Sequence, residues 1–178
     1  MNTQSPQVPE SSGAARKAGL WYGIAAAIVI IDQLTKYYSN TLLIEGRPVT
    51  VFPGFDLLLA YNRGAAFSFL NDADGWQRWL LTGISLGVSL FLVTWIRKIT
   101  AGQTLLGLSL AMILGGALGN LYDRMMAGYV IDFISVYAGD YRFATFNIAD
   151  AAISVGAGLM ILDILLDGRQ AKKEISEE

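Results

Sequence analysis

Cysteine and histidine are both absent from the sequence. Without cysteine there is no disulfide framework, no thiol nucleophile and no thiolate metal site. Without histidine there is no Ser-His triad and no imidazole-bound zinc. Charge is scarce as well: 16% of the 178 residues are Asp, Glu, Lys or Arg, with a formal balance of −2. That leaves no basic patch for nucleic acid. Any acid–base chemistry falls to Asp, Glu, Lys, Tyr or water, and no metal or cofactor is expected. What remains is apolar: 53% of the residues are hydrophobic and the mean hydropathy is +0.44. This is a membrane composition in a chain of single-domain length.

Residues 1–17 are polar and carry Pro, Ser, Gln and Gly, which predicts a disordered tail. Arg16 and Lys17 precede an apolar run that lacks a small-residue cleavage site, so an uncleaved first span is expected. The charge-free stretch Ala18 to Ile31 is 14 residues, roughly 21 Å of helix. The hydrocarbon core is about 30 Å thick, so the span must take in Asp32 and reach Tyr37 or Tyr38. Four spans are predicted, at about 18–38, 77–97, 103–123 and 146–167, within a domain covering 18–168. Residues 39–76 and 124–145 then form outer segments, and 169–178 a second cytoplasmic tail. Arg16 and Lys17, Arg97 and Lys98, and Arg169, Lys172 and Lys173 all fall on one side, which the positive-inside rule makes cytoplasmic. In the first outer segment, PVTVF and FDLLLAY flank Pro53-Gly54, a type II turn pair, which predicts two short strands. Leu57, Leu58 and Leu59 in succession predict a sheet with apolar groups on both faces, lying on the membrane surface.

The intramembrane polar residues gather at one end. Asp32 and Lys36 close the first span, Asn120, Asp123 and Arg124 the third, and Asn147 and Asp150 open the fourth. Asp132 sits in the apolar run YVIDFI between spans three and four. Gly116, Asn120 and Arg124 share a helix face by their spacing of four, and Asn147 and Asp150 are three apart. The small-xxx-small pairs Gly115/Gly119 and Ala152/Gly156 predict close packing of spans three and four, which would bring Asn120 to Asp150. Asp32 with Lys36 reads as a structural ion pair, and Asp123 beside Arg124 as a helix-end salt bridge. Asp163 reads as an interfacial group, and Asp56, Asp72, Asp74 and Asp140 as exposed loop acids. Asp132 and Asp150 are harder to explain structurally, because neither has a cation on its own element. Two close carboxylates in a low-dielectric site share one proton, giving an acid and a base near neutral pH. Such a pair hydrolyses peptides without Cys, His or metal. Two other functions remain open at this point: a small proton-coupled transporter, and a serine–lysine peptidase using Lys36 with Ser39 or Ser68. A scaffold held by its polar layer is a third.

The blocks NRGAAFSF (62–69), GGALGNLYDR (115–124), VIDF (130–133) and FNIADAAI (146–153), in this order among four spans, resemble the lipoprotein signal peptidases, or signal peptidase II. The resemblance covers nearly all of the chain after residue 17. It implies an all-α membrane protein of four transmembrane helices, with a small extracytoplasmic β-sheet cradle and a short helix or loop over the site. It implies an aspartic endopeptidase of the bacterial inner membrane that cuts prolipoproteins before a diacylglyceryl-modified cysteine. Asp132 and Asp150 map to the catalytic pair. Asn62, Gly64, Asn120, Asp123, Arg124 and Asn147 map to substrate-binding or supporting positions, and Asp32 and Lys36 to a structural pair. The implied partners are the lipidated precursor, membrane lipid and globomycin-type cyclic peptide inhibitors.

Overall fold

A computed structural model describes residues 11–64, 75–100 and 102–177. Ser68, Asp72 and Asp74 lie outside the described residues, as do residues 1–10. The order of elements is α1 (Ser11–Leu42), β1 (Val49–Phe52), β2 (Phe55–Asn62), α2 (Trp76–Ile96), α3 (Thr104–Met126), β3 (Val130–Ala138), β4 (Tyr141–Arg142) and α4 (Ile148–Glu177). Among the described residues four stretches are long and apolar enough to cross a membrane: Ala18–Leu42, Trp76–Ile96, Thr104–Met126 and Ile148–Asp167. Both outer helices run past the expected span ends into the segments read as tails. Ala14, Ala15, Arg16 and Lys17 at one end, and Ala171, Lys172, Lys173 and Glu174 at the other, are strong helix formers that let the helix continue.

Helix α3 is the centre of the bundle, packed against α4, α1 and α2. Its glycines set the distances. A Cβ on Gly116 would collide with the Ala149 carbonyl oxygen and Ile153, and one on Gly156 would lie 2.8 Å from the Ser109 carbonyl oxygen. Those two positions make the close α3–α4 contact. Gly115 does not share in it: its missing Cβ admits Ile28 and the Ala25 carbonyl of α1. The expected Gly115/Gly119 face therefore turns toward the first span, because three helices surround α3 and successive glycines serve different neighbours. The other helices carry large apolar residues outward, among them Leu90, Phe91 and Ile161, as lipid-facing helices must.

The strands form one antiparallel sheet in the order β1-β2-β3-β4. Gly54 has φ 93° in the β1–β2 turn, the sign required at the third position of a type II turn. The sheet reaches further than the sequence indicates. The segment after α3 is β3 and β4 joined at Gly139-Asp140, with no helix between Ala127 and Asn147. Asp56 is a second departure. Expected as an exposed loop acid, it is buried on β2, 2.7 Å from Arg142 Nη2. Arg142 also donates to Ser135 Oγ at 2.6 Å and lies over the Tyr137 ring, so one guanidinium ties β2, β3 and β4 together. Asp140 is exposed.

Candidate active site

Helix α4 starts where Asn147 caps it. The Asn147 side-chain oxygen accepts from the Asp150 N–H at 2.9 Å, and the Asn147 backbone N–H donates to Asp150 Oδ2 at 3.3 Å. This reciprocal capping box satisfies two helix-end donors and puts a carboxylate at the positive end of the helix. The same amide reaches across the bundle end. Asn147 Nδ2 donates to Asp132 Oδ1 at 2.7 Å and stands 3.3 Å from the Ile131 carbonyl and from Asn120 Oδ1. One asparagine, fully buried, thus bonds to both Asp132 and Asp150.

Sheet register delivers Asp132. Ala60 pairs with Asp132 and Asn62 with Val130, so Asn62 and Asp132 are diagonal neighbours on one face. Asn62 Nδ2 donates to Asp132 Oδ2 at 3.1 Å, while its Oδ1 accepts from the Gly64 N–H at 3.0 Å. Each Asp132 oxygen therefore has an amide donor and no cation. Burial, then the charge of Asp150, raises its pKa to about 7, against the opposing effect of Asn62 and Asn147. On the other side, Asn120 Nδ2 donates to Asp150 Oδ1 at 2.7 Å.

A cavity of about 690 Å³ opens beside the pair. Asp150, Asn62, Asn120 and Arg124 form its polar end, and residues such as Val136, Phe143, Phe146 and Val155 its apolar length. Asp150 is on the cavity wall; Asp132, 2% exposed, is bonded to Asn62 of that wall and to Asn147. Arg124 makes only long hydrogen bonds, to the Asn120 carbonyl at 3.4 Å and the Gly64 carbonyl at 3.5 Å, and forms no carboxylate ion pair among the described residues.

Asp123 pairs with Lys36, not with Arg124. Lys36 Nζ lies 2.7 Å from Asp32 Oδ2, 2.7 Å from Asp123 Oδ2 and 3.0 Å from Asn120 Oδ1. Arg124, next in sequence on a helix, projects to another face. Asp32 Oδ1 in turn accepts from the Ala149 N–H at 2.9 Å, so the first span caps the fourth. Gly119 makes room, since a Cβ there would lie 2.6 Å from Asp32 Oδ2. Sequence reasoning passed over Gln33, whose Nε2 bonds to Asp123 Oδ1 at 2.9 Å and the Gly119 carbonyl at 3.2 Å. Its position three before Lys36 puts it beside that lysine on the helix, a signal the sequence does contain. All three ammonium donors of Lys36 are taken, which leaves nothing to serve Ser39 as a base.

A protein-family model described as signal peptidase (SPase) II matches residues 24–166. The chain is 45% identical over 152 residues to the lipoprotein signal peptidase of Teredinibacter turnerae, covering 85% of this chain and 90% of that one. It is 45% identical over 166 residues to that of Ralstonia nicotianae, covering 92% and 94%. Among solved structures, one described as a bacterial membrane enzyme superposes with a TM-score of 0.75 at 31% identity, over 84% of this chain and 90% of that one. The chain belongs to the signal peptidase II family, the lipoprotein signal peptidases of peptidase family A8, and is a multi-pass membrane enzyme.

Proposed function

We propose that the chain is an intramembrane aspartic endopeptidase that removes the signal peptide from diacylglyceryl-modified prolipoproteins, cutting on the N-terminal side of the lipidated cysteine. Asp132 and Asp150 share one proton. Asp132 holds it, as the buried member with a pKa raised to about 7. Asp150 is the base, on the cavity wall at a helix N-terminus. Water attacks the scissile carbonyl carbon as Asp150 takes its proton, and Asp132 gives its own proton to the carbonyl oxygen. In the resulting diol, Asp150 returns a proton to the amide nitrogen as the C–N bond breaks. Asp132 recovers one from a diol hydroxyl, and the starting state is restored. Asn62, Asn120 and Asn147 orient the two carboxylates. Arg124 supplies positive charge at the polar end of the cavity.

The observation that carries this reading is Asn147, bonded at once to both carboxylates at the polar end of an apolar cavity. A diacylglyceryl group has acyl chains to keep in lipid, and a cavity bounded by α4 and the sheet suits a substrate arriving sideways. The grouping of Arg97 and Lys98 with both termini supports cytoplasmic ends and a site near the outer leaflet. Globomycin-type cyclic peptides would compete for the same cavity. The test is cleavage of a diacylglyceryl-modified precursor and its unmodified form by the purified protein. Cleavage of the modified form alone, lost in Asp150→Asn, is expected. A normal rate in Asp150→Asn would overturn the mechanism.

A further inference from the structure

The ion cluster beside the carboxylate pair has a consequence for the reaction. Lys36 is 1% exposed, and its three N–H donors each meet one acceptor: Asp32 Oδ2, Asp123 Oδ2 and Asn120 Oδ1. Lysine has donors and no acceptor. The Asn120 atom facing it must therefore be the amide oxygen. The NH2 group of the same amide is then turned the other way, where it lies 2.7 Å from Asp150 Oδ1. Asn147 Nδ2, which also donates toward Asn120 Oδ1 at 3.3 Å, requires the same orientation but from further away. A flipped Asn120 would set an oxygen against the Asp150 carboxylate and an NH2 against an ammonium, repulsive on both sides.

We propose that Lys36 is a positioning residue for the peptidase reaction: by fixing the orientation of the Asn120 amide it keeps an N–H donor on Asp150. Asp32 from α1 and Asp123 from α3 hold the ammonium in place for that purpose. The pair read from sequence as structural thus acts on the chemistry through one amide. This inference rests on Asp150 serving as the base.

The test uses the full chain in lipid nanodiscs, with a diacylglyceryl-modified precursor peptide as substrate. Lys36→Met alone strips the cation from two buried carboxylates and can simply unfold the protein. Lys36→Met with Asp123→Asn keeps the cluster's formal charge, since Asp32, Asp123 and Lys36 sum to −1 and Asp32 alone is also −1. The paired variant should melt within a few degrees of the parent; compared with Asp123→Asn it should keep KM within about twofold and lose about ten- to a hundredfold in kcat, the scale of one hydrogen bond to a charged group. In an Asn120→Ala background, removing Lys36 should cost no further kcat, because its effect passes through that amide. Lys36→Arg, also donor-only, should retain most of the rate. The proposal is overturned if the paired variant turns over like Asp123→Asn, if the loss recurs in full without Asn120, or if folded Lys36→Arg is as slow as the methionine variant. These outcomes are separable from the reading above: an active Asp150→Asn protein ends both, whereas an inactive Asp150→Asn with a fully active paired variant ends only this one.

Discussion

Asp56 and Asp132 stand on adjacent strands of one sheet, and both are 2% exposed. Their environments push them in opposite directions. Arg142 donates to Asp56 at 2.7 Å and holds its carboxyl below the usual range. Asp132 has two amides and, across Asn147, a second carboxylate, and burial first and that charge second push it up to about 7. Equal exposure hides unequal depth: Asp132 lies inside the molecule, where burial raises it, and Asp56 lies near the periphery. Depth and neighbour act together: a cation fixes the charge on Asp56, whereas burial first and a like charge second leave Asp132 with a proton to give.

Exchanging each aspartate for asparagine should separate the two most sharply. Asp132→Asn is expected to lower kcat by about a thousandfold or more, the usual scale for a lost acid–base group. The double variant with Asp150→Asn should be little worse, because the pair acts as a unit. Asp56→Asn should stay within about threefold of the parent, since it alters the cradle and touches no reacting atom. Steady-state cleavage of the modified precursor measures all three, and an Asp56→Asn as dead as Asp132→Asn would erase the contrast. The pH profile sharpens it further. If Asp132 must enter the reaction protonated, kcat falls by about tenfold per unit above roughly pH 7. Asp56→Asn should leave that alkaline limb where it is.

The contrast was not fully legible in the sequence, and the reason is distance along the chain. Asp132 and Asp150 could be singled out because each interrupts an apolar run, and because glycine spacing on α3 and α4 argues for a close helix pair. The resulting contact between Asn120 and Asp150 is 30 residues apart in sequence but one helix crossing in space. Asp56 gave no such signal. Its partner lies 86 residues away, on a two-residue strand that only the sheet brings near. The same limit misled the pairing of Asp123, where the neighbour in sequence, Arg124, projects elsewhere and Lys36 arrives from another span. The direction of Gly115 also depended on how three helices surround α3, which no single-helix pattern contains.

That packing supplies a smaller test. Gly119 gives Asp32 the room to cap α4 at Ala149, and α4 carries Asp150. Gly119→Ala would set a Cβ 2.6 Å from Asp32 Oδ2 and 3.3 Å from the Ala149 side chain. Overpacking of this kind costs about 1–3 kcal/mol. A lower melting temperature with a reduced kcat is expected, because the helix end that carries Asp150 must shift. Gly23→Ala, where a Cβ meets nothing within 4 Å, is the matched control and should lower neither. A Gly119→Ala protein of normal stability would mean that the Asp32 cap tolerates displacement.

The smallest effect expected is on stability against pH, and here the two sheet aspartates should differ in sign. Asp132 has a folded pKa of about 7 against an ordinary value of 3.8. Between those values the folded chain binds more protons than the unfolded one, so stability falls as pH rises. What Asp132 contributes is complete below 3.8 and is lost as pH passes through about 7. Asp56 is depressed instead, so its contribution is complete above 3.8 and is lost as pH falls through its lower folded pKa. Asparagine removes each dependence. The melting temperature of Asp132→Asn minus that of the parent should therefore climb between pH 4 and pH 8, on the order of 5 °C after discounting for water reaching the site. For Asp56→Asn the same difference should instead drop as pH rises through the acid range toward 3.8, and then level off. Thermal unfolding of the three proteins across that range measures both slopes. Two slopes of the same sign would mean that burial and the like charge together do not raise Asp132, and the proton it is to share with Asp150 would lose its electrostatic basis.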